Sequence, residues 1–467
     1  MTKHFKAFSP GSSAKRGSSM DLCGDTPLRG DTPLRGDMST ALHWMTAHDV
    51  CRGPYGLQRM EFLMERLGNP HREIASILVG GTNGKGSVTA LLENITAYGR
   101  IYQVGSTISP HLINVTERVR LDGRPLPDDL WIEGVKVLKE HVKLMEREPS
   151  IGAPSFFELV TALAFWSWRE TERDLAIVEV GLGGRLDATN VTWPEIAVIT
   201  NIGTDHQELL GPDRPSIARE KLGIVKKKST LITGEKDPAI LHLFEETCRT
   251  QKSELVQAAI GDGRFQVIES HSRGHRILLP DFPDPVDVPL AGLHQLENLA
   301  VALAVVERLR KNGFDLPPDH VAAGIARTSW PGRLQWIDAT PPLPPILLDG
   351  AHNEEGLASL IAYLERFPLP RPAHLVLGVL QNKPAAAMAS ALAKHVDTLS
   401  YVAPMTNRAL TQADFETLIH PIDPRWTWHD SLNEALKTGT ASGAAAILIT
   451  GSLYLVADYL RTHRTHP

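Results

Sequence analysis

Apolar and polar positions alternate on two scales along this chain. Short apolar runs ending in Gly or a polar residue fall at 77–79, 175–180 and 196–202, as buried parallel strands do. Around them the spacing is helical: 88–98 reads as a helix, and 156–168 is apolar and long enough for a buried one. A helical pattern over 42–67 is interrupted at Gly53-Pro-Tyr-Gly-Leu57. Across 265–288 the pattern turns to short proline-bearing strands, predicting an antiparallel edge. An Ala- and Leu-rich helix over 295–311 ends at Asn312-Gly313. Past Trp330-Pro-Gly-Arg333 the alternation restarts, with strands at 345–348, 374–379, 398–402 and 445–450 and helices at 354–367, 384–394 and 453–462. This rhythm predicts an α/β chain of two doubly wound domains, with ligands at the carboxyl ends of the strands.

Length supports two large domains, since 467 residues exceed one ordinary core. Their expected bounds are 38–333 and 334–467, the second smaller and Rossmann-like. Residues 1–37 are poor in apolar side chains and repeat Gly-Asp-Thr-Pro-Leu-Arg in tandem at 24–29 and 30–35. Such a stretch cannot bury enough surface to offset its ordering entropy, so a disordered tail is expected. A true start at Met38 is equally open.

Composition narrows the function classes. The chain is 42% hydrophobic and 22% charged, as soluble globular proteins are. A net charge of −6 carries no basic excess, which argues against nucleic acid as a partner. Cys23, Cys51 and Cys248 lack metal or disulfide spacing, which suits a reducing compartment. No apolar run approaches the roughly 18 residues of a membrane span, and residues 1–20 lack the apolar centre of a secretory signal. The expectation is a cytoplasmic protein with no membrane partner.

The chemistry is most legible in Ser76-Ile-Leu-Val-Gly-Gly-Thr-Asn-Gly-Lys-Gly-Ser-Val-Thr89. Strand, glycine-rich turn and helix follow one another as in a P-loop, here of an ATPase-type domain. Gly80, Gly81, Gly84 and Gly86 let several backbone N–H groups face one anion. Lys85 adds a cation, the helix N-terminus adds its dipole, and Ser87 stands where a hydroxyl reaches magnesium. The spacing departs from the common pattern: Val79 replaces the first glycine and Gly86 is inserted after the lysine. Three further clusters end predicted strands. They are Ser109-Pro-His-Leu112 with Glu117-Arg118, the run Glu179-Val-Gly-Leu-Gly-Gly-Arg-Leu-Asp-Ala-Thr-Asn190, and Thr204-Asp-His206 leading to Glu220-Lys-Leu-Gly223. A carboxylate at a buried strand end, such as Glu179, needs a metal or an arginine. His206 alone is more often a core histidine, Ser109 before proline a turn residue, and Lys221 a solvated helix lysine.

Together these strings resemble folylpolyglutamate synthase and the closely related dihydrofolate synthase, of the ATP-dependent Mur ligase superfamily. The resemblance runs from about residue 55 to 460 and adds Phe157-Glu158, His294-Gln295 with Asn298, Pro331-Gly-Arg333, Leu348-Asp-Gly-Ala-His-Asn353 and Gly451-Ser-Leu-Tyr454. It implies that Asn83, Gly84, Lys85 and Gly86 cradle ATP phosphates, and that Asn298, Arg333 and Asp349 contact ATP, with His352 close to the phosphates. It implies two magnesium ions on Ser87, Ser109, Glu179 and His206, with Lys221 carbamylated to complete the second site. A pterin-bearing substrate would lie against Gly56, Leu57, Phe157, Glu158, Leu186, Asp187 and Ala188. One departure stands out: Gln381-Asn-Lys-Pro384 keeps only the lysine of the family's Asp-Lys-Asp string.

The implied reaction is phosphorylation of a substrate carboxylate by ATP, then attack of the L-glutamate amine on the acyl phosphate. Phe157 offers a stacking face and Asp187 an acceptor for ring N–H groups. Thr116-Glu-Arg-Val-Arg120, Leu186-Asp-Ala188 and Gly211-Pro-Asp-Arg214 resemble the bacterial enzymes that act on both dihydropteroate and tetrahydrofolate. A monomer is expected. Ligation to folates alone, a peptidoglycan-precursor ligase and an inactive nucleotide-binding regulator remain alternatives.

Overall fold

A computed structural model of the chain describes residues 36–48, 56–148 and 150–463. Its larger sheet grows from the apolar runs: β1 (Ala75–Gly80), β2 (Val104–Thr107), β3 (Val119–Leu121), β4 (Arg124–Pro125), β5 (Leu175–Glu179), β6 (Ile196–Ile199), β7 (Thr230–Thr233) and β8 (Glu254–Gln257). The order is β4-β3-β2-β5-β1-β6-β7-β8, with every pairing parallel except β2–β3 and β3–β4 at one edge. The central strands are apolar throughout because both faces are covered. Along β1, Ile77 and Val79 enter one core with the helices Lys85–Thr96 and Leu293–Lys311. Leu78 enters the opposite core with Phe156–Glu170 and Asp128–Met145. Register sets Val79 beside Glu179 and Gly80 beside Ile199, so the carboxyl ends of β1, β5 and β6 meet at one place.

The stretch 265–288 differs from expectation. It forms no edge of the larger sheet but a separate antiparallel sheet of β9 (Gln266–His271), β10 (Gly274–Leu279) and β11 (Phe282–Val288). Pro283 and Pro285 lie on the outer strand β11, where a missing N–H costs no ladder bond. Only one face is apolar, and Ile277, Val286 and Val288 bury it in the core shared with Leu293–Lys311.

The second large sheet comprises β12 (Gln335–Ile337), β13 (Ile346–Leu348), β14 (Ala373–Leu377), β15 (Thr398–Val402), β16 (Trp426–His429) and β17 (Ala446–Thr450), in the order β12-β13-β17-β14-β15-β16. Only β12 is antiparallel to its neighbour. The expected strands are present, and β12 and β16 are additional. Asp349, Gly378 and Gly451 follow β13, β14 and β17 at the carboxyl end of this sheet.

The expected tail lies outside the described residues as far as 35, but Gly36 and Asp37 open the helix Gly36–Thr46, whose Met38, Leu42 and Met45 are buried. Of the expected interruption at 53–57, residues 53–55 lie outside the described ones; Leu57 precedes the helix Gln58–Arg66. Among the described residues no helix is long and apolar enough to cross a membrane.

Candidate active site

The carboxyl ends of the two large sheets face each other across a cavity of about 420 Å³, a size typical of small-molecule sites. From the larger sheet, the loop after β1 leads into the helix Lys85–Thr96, whose amide dipoles point at the cavity. Gly81 and Gly84 have φ of +138° and +85°, and a Cβ on either would collide with Thr200 or Asn298. Both positions therefore need glycine. Lys85 Nζ donates to the carbonyls of Gly81 and Thr82, each at 3.2 Å. Asn83 N–H donates to Asn201 Oδ1 at 3.0 Å, while Asn83 Nδ2 is buried without a partner among the described residues.

Beside this loop, Glu179 ends β5 and accepts the backbone N–H of Ser109 at 3.1 Å. Burial pushes its carboxyl up to about 7, with Lys85 the main opposing charge. Ser109 Oγ is buried with no partner among the described residues, and Ser87 is buried in the first turn of its helix. Lys221, on the helix Arg214–Leu222, donates to Gly81 O at 2.9 Å. Burial, then Lys85, pulls its ammonium down to about 7. His206 adopts a left-handed backbone, φ +54°, and its Nε2 lies 4.0 Å from Asp205 Oδ1.

The smaller sheet supplies the facing wall. Asp349 accepts N–H groups from Leu334 at 3.0 Å and Ala351 at 2.9 Å, beside Arg333. His352 Nδ1 lies 2.8 Å from Gly350 O, and burial, then Lys383, takes its pKa down to about 4. Bonds also cross between the walls. Lys383 Nζ reaches Asp205 Oδ1 at 2.8 Å, and Asn353 Nδ2 reaches Asn83 Oδ1 at 3.1 Å and Asp205 Oδ2 at 3.2 Å. Burial would raise the Asp205 carboxyl, but His206 and Lys383 outweigh it and hold the group well below the usual range.

The cavity is lined by Asn83, Gly84, Lys85, Gly86, Ser87, Ser109, Glu179, His206, Lys221, Asn298, Arg333, Asp349 and His352, thirteen of the residues singled out in the sequence. The other seven, expected against a pterin, lie off this lining. Two of them are engaged within the protein. Glu158 spends its oxygens on Arg59 Nε, 3.0 Å from each, and on Ser155 N–H at 2.6 Å, capping the helix Phe156–Glu170. Asp187 accepts from Thr189 N at 3.0 Å and Leu182 N at 2.8 Å, and so folds its own loop. Neither has the free acceptor expected of a ring-binding carboxylate. Phe157 packs against Gly181, which does line the cavity, and Leu186 is exposed; Gly56, Leu57 and Ala188 are not among the lining residues.

Trp330, His294, Asp205 and Glu355 also line the cavity and were not singled out as site residues. Trp330 packs on Gly86, and burial takes His294 down to about 4. Both stood beside quoted motifs, which was the available signal. Glu355 looks like an ordinary acid in a helix first turn, and nothing in the sequence marks it.

Ser87, Ser109 and Glu179 all present oxygen donors to the cavity, and the unpartnered Ser109 hydroxyl suits a hard cation. Among the described residues no three His, Cys, Asp or Glu side chains form a ready-made metal cage. The set therefore fits a magnesium ion that brings waters and phosphate oxygens of its own.

Residues 138–306 match the Mur ligase middle domain, and 332–453 match the glutamate ligase domain of Mur ligases. The chain is 32% identical over 412 residues to folylpolyglutamate synthase of Lacticaseibacillus casei, covering 87% of this chain and 94% of the relative. It is 32% identical over 413 residues to dihydrofolate synthase/folylpolyglutamate synthase of Bacillus subtilis, covering 86% and 94%. The structure of Mycobacterium tuberculosis folylpolyglutamate synthase complexed with ADP and AMPPCP superposes with a TM-score of 0.82 at 29% identity, covering 92% of this chain and 100% of that one.

Proposed function

Because the chain belongs to the folylpolyglutamate synthase and dihydrofolate synthase family of Mur ligases, we propose that it joins L-glutamate to dihydropteroate and to tetrahydrofolates, at the expense of ATP. The observation that carries this reading is the meeting of the phosphate loop with Arg333, Asp349 and His352 in one cavity between two sheets. The two sheets are read as two domains, 38–333 and 334–467, working as a cytoplasmic monomer.

Asn83, Gly84, Lys85 and Gly86 hold the ATP phosphates, and Asn298, Arg333 and Asp349 hold the rest of the nucleotide. Ser87, Ser109, Glu179 and His206 hold two magnesium ions, which when bound neutralise charge on the phosphoryl group in transfer. The lowered Lys221 ammonium supports the role drawn from the family, since only a neutral amine can take up carbon dioxide as a carbamate. Lys85 stabilises the charge that moves from ATP to the substrate carboxylate. The contacts of Lys383 and Asn353 with Asp205 close the second sheet over the site and exclude water from the acyl phosphate. Phe157, Gly181 and Leu186 offer the flat substrate a wall.

The occupied oxygens of Asp187 favour a narrower reading, ligation to tetrahydrofolates alone. Supplying dihydropteroate, ATP and L-glutamate and looking for dihydrofolate separates the two. Dihydrofolate formation is expected; its absence beside robust extension of tetrahydrofolate leaves the narrower activity.

A further inference from the structure

Five carboxylates line the cavity: Glu179, Asp205, Glu297, Asp349 and Glu355. Four are committed. Glu179 accepts from Ser109, Asp205 from Lys383 and Asn353, Glu297 from Lys236, and Asp349 from Leu334 and Ala351. Glu355 differs. Its Oε1 accepts the Thr204 N–H at 2.8 Å, which fixes the carboxylate across the gap between the two sheets. Its Oε2 is sealed from solvent and has no hydrogen-bond partner among the described residues. No described Lys, Arg or His forms an ion pair with it.

A buried acceptor left unmade is costly, and at a ligand cavity the missing donor belongs to the ligand. The reaction proposed above, on which this inference rests, brings one substrate with an ammonium group: the incoming amino acid. Position agrees. Thr204 precedes Asp205 and His206 on the loop after β6, and Gly203 of that loop donates to Thr82 Oγ1 of the phosphate loop at 2.9 Å. Glu355 therefore stands where the phosphate end of the cavity meets the second sheet. We propose that Glu355 binds the ammonium of the incoming amino acid and takes the proton that it must lose before attack.

In that step an N–H proton passes to Oε2 and frees the nitrogen lone pair. The nitrogen attacks the acyl carbon, forming the C–N bond, and the C–O bond to phosphate breaks with its electron pair leaving on phosphate. The second N–H proton goes from the tetrahedral intermediate to the departing phosphate. Glu355 returns its proton to solvent on product release. Asp205 is poorly placed to serve as this base, because both its oxygens already accept from Lys383 and Asn353.

Glu355→Gln tests this, since its amide oxygen keeps the Thr204 bond and the shape. Two nucleophiles are compared with tetrahydrofolate and ATP: L-glutamate, and hydroxylamine, which is already unprotonated at neutral pH. The variant is expected to lose roughly a hundred-fold in glutamate ligation, the scale of general-base catalysis, while hydroxamate formation persists. Raising the pH should recover glutamate ligation as free amine becomes available; the other titratable groups around Glu355, namely Asp205, His206, His352 and Lys383, are common to both nucleophiles. Equal loss with both would overturn the proposal and leave Glu355 as a tie between the sheets. Retained glutamate ligation, or a defect confined to the KM for ATP, would also overturn it. If the wild-type chain uses neither nucleophile, the ligase reading itself fails and this inference with it.

Discussion

Lys85 rests against the carbonyls of its own loop, and the loop's shape is set by glycines at positive φ. Its charge is thus separable from the fold. Lys85→Ala is expected to abolish phosphate release while leaving the melting temperature within a degree or two; wild-type turnover in the variant would remove the phosphate-loop assignment. His374 shows the opposite coupling. Its Nδ1 lies 2.7 Å from Thr398 Oγ1, its Nε2 is buried without a partner among the described residues, and burial takes its pKa down to about 4. The unfolded chain binds the proton more readily than the folded one, so stability is present above about pH 6.5 and lost as pH falls toward 4. The loss is on the order of 3 kcal/mol from this one group. Denaturation curves across that window should be flatter for His374→Gln; an unchanged slope would show that His374 is not a main contributor.

At the scale of elements, the periodic signals were the legible ones. The strand, loop and helix over 75–96, the helix Leu293–Lys311 and four strands of the smaller sheet follow directly from apolar runs and stops. What was not legible has physical causes. β16 reads Trp-Thr-Trp-His behind Pro421 and Pro424, so it lacks an apolar run, and β12 gains its place only by pairing with β13. The strands of 265–288 carry no sign of which sheet they join, because pairing is a tertiary choice. For the site, motif residues converged because β1, β5 and β6 are neighbours, whereas Glu158 lies off the cavity lining with a structural partner that the motif did not announce. Its carboxylate neutralises the buried Arg59 and caps a helix. Glu158→Ala should cost on the order of 3 kcal/mol by removing a buried partner of Arg59 together with the cap of the helix Phe156–Glu170, read from urea denaturation. A small stability loss with a raised KM for folate would restore it to the substrate site.

For the molecule as a whole, chemistry depends on two sheets held face to face. The ion pair between Lys383 and Asp205 joins side chains only 9% and 16% exposed, and it sits where water must be kept from an acyl phosphate. Lys383→Met should lower ligation at least about ten-fold while increasing the share of ATP hydrolysed without product, as an open site admits water. An unchanged ratio of ligation to hydrolysis would show that this contact does not govern closure. The central claim is that the cavity between the sheets activates a substrate carboxylate through ATP. Its most direct test is to label the carboxylate oxygens of tetrahydrofolate with oxygen-18 and analyse the phosphate released during glutamate ligation. Transfer of one labelled oxygen into phosphate is the expected result; phosphate free of label, with ligation proceeding, would contradict an acyl phosphate and the role assigned to this cavity.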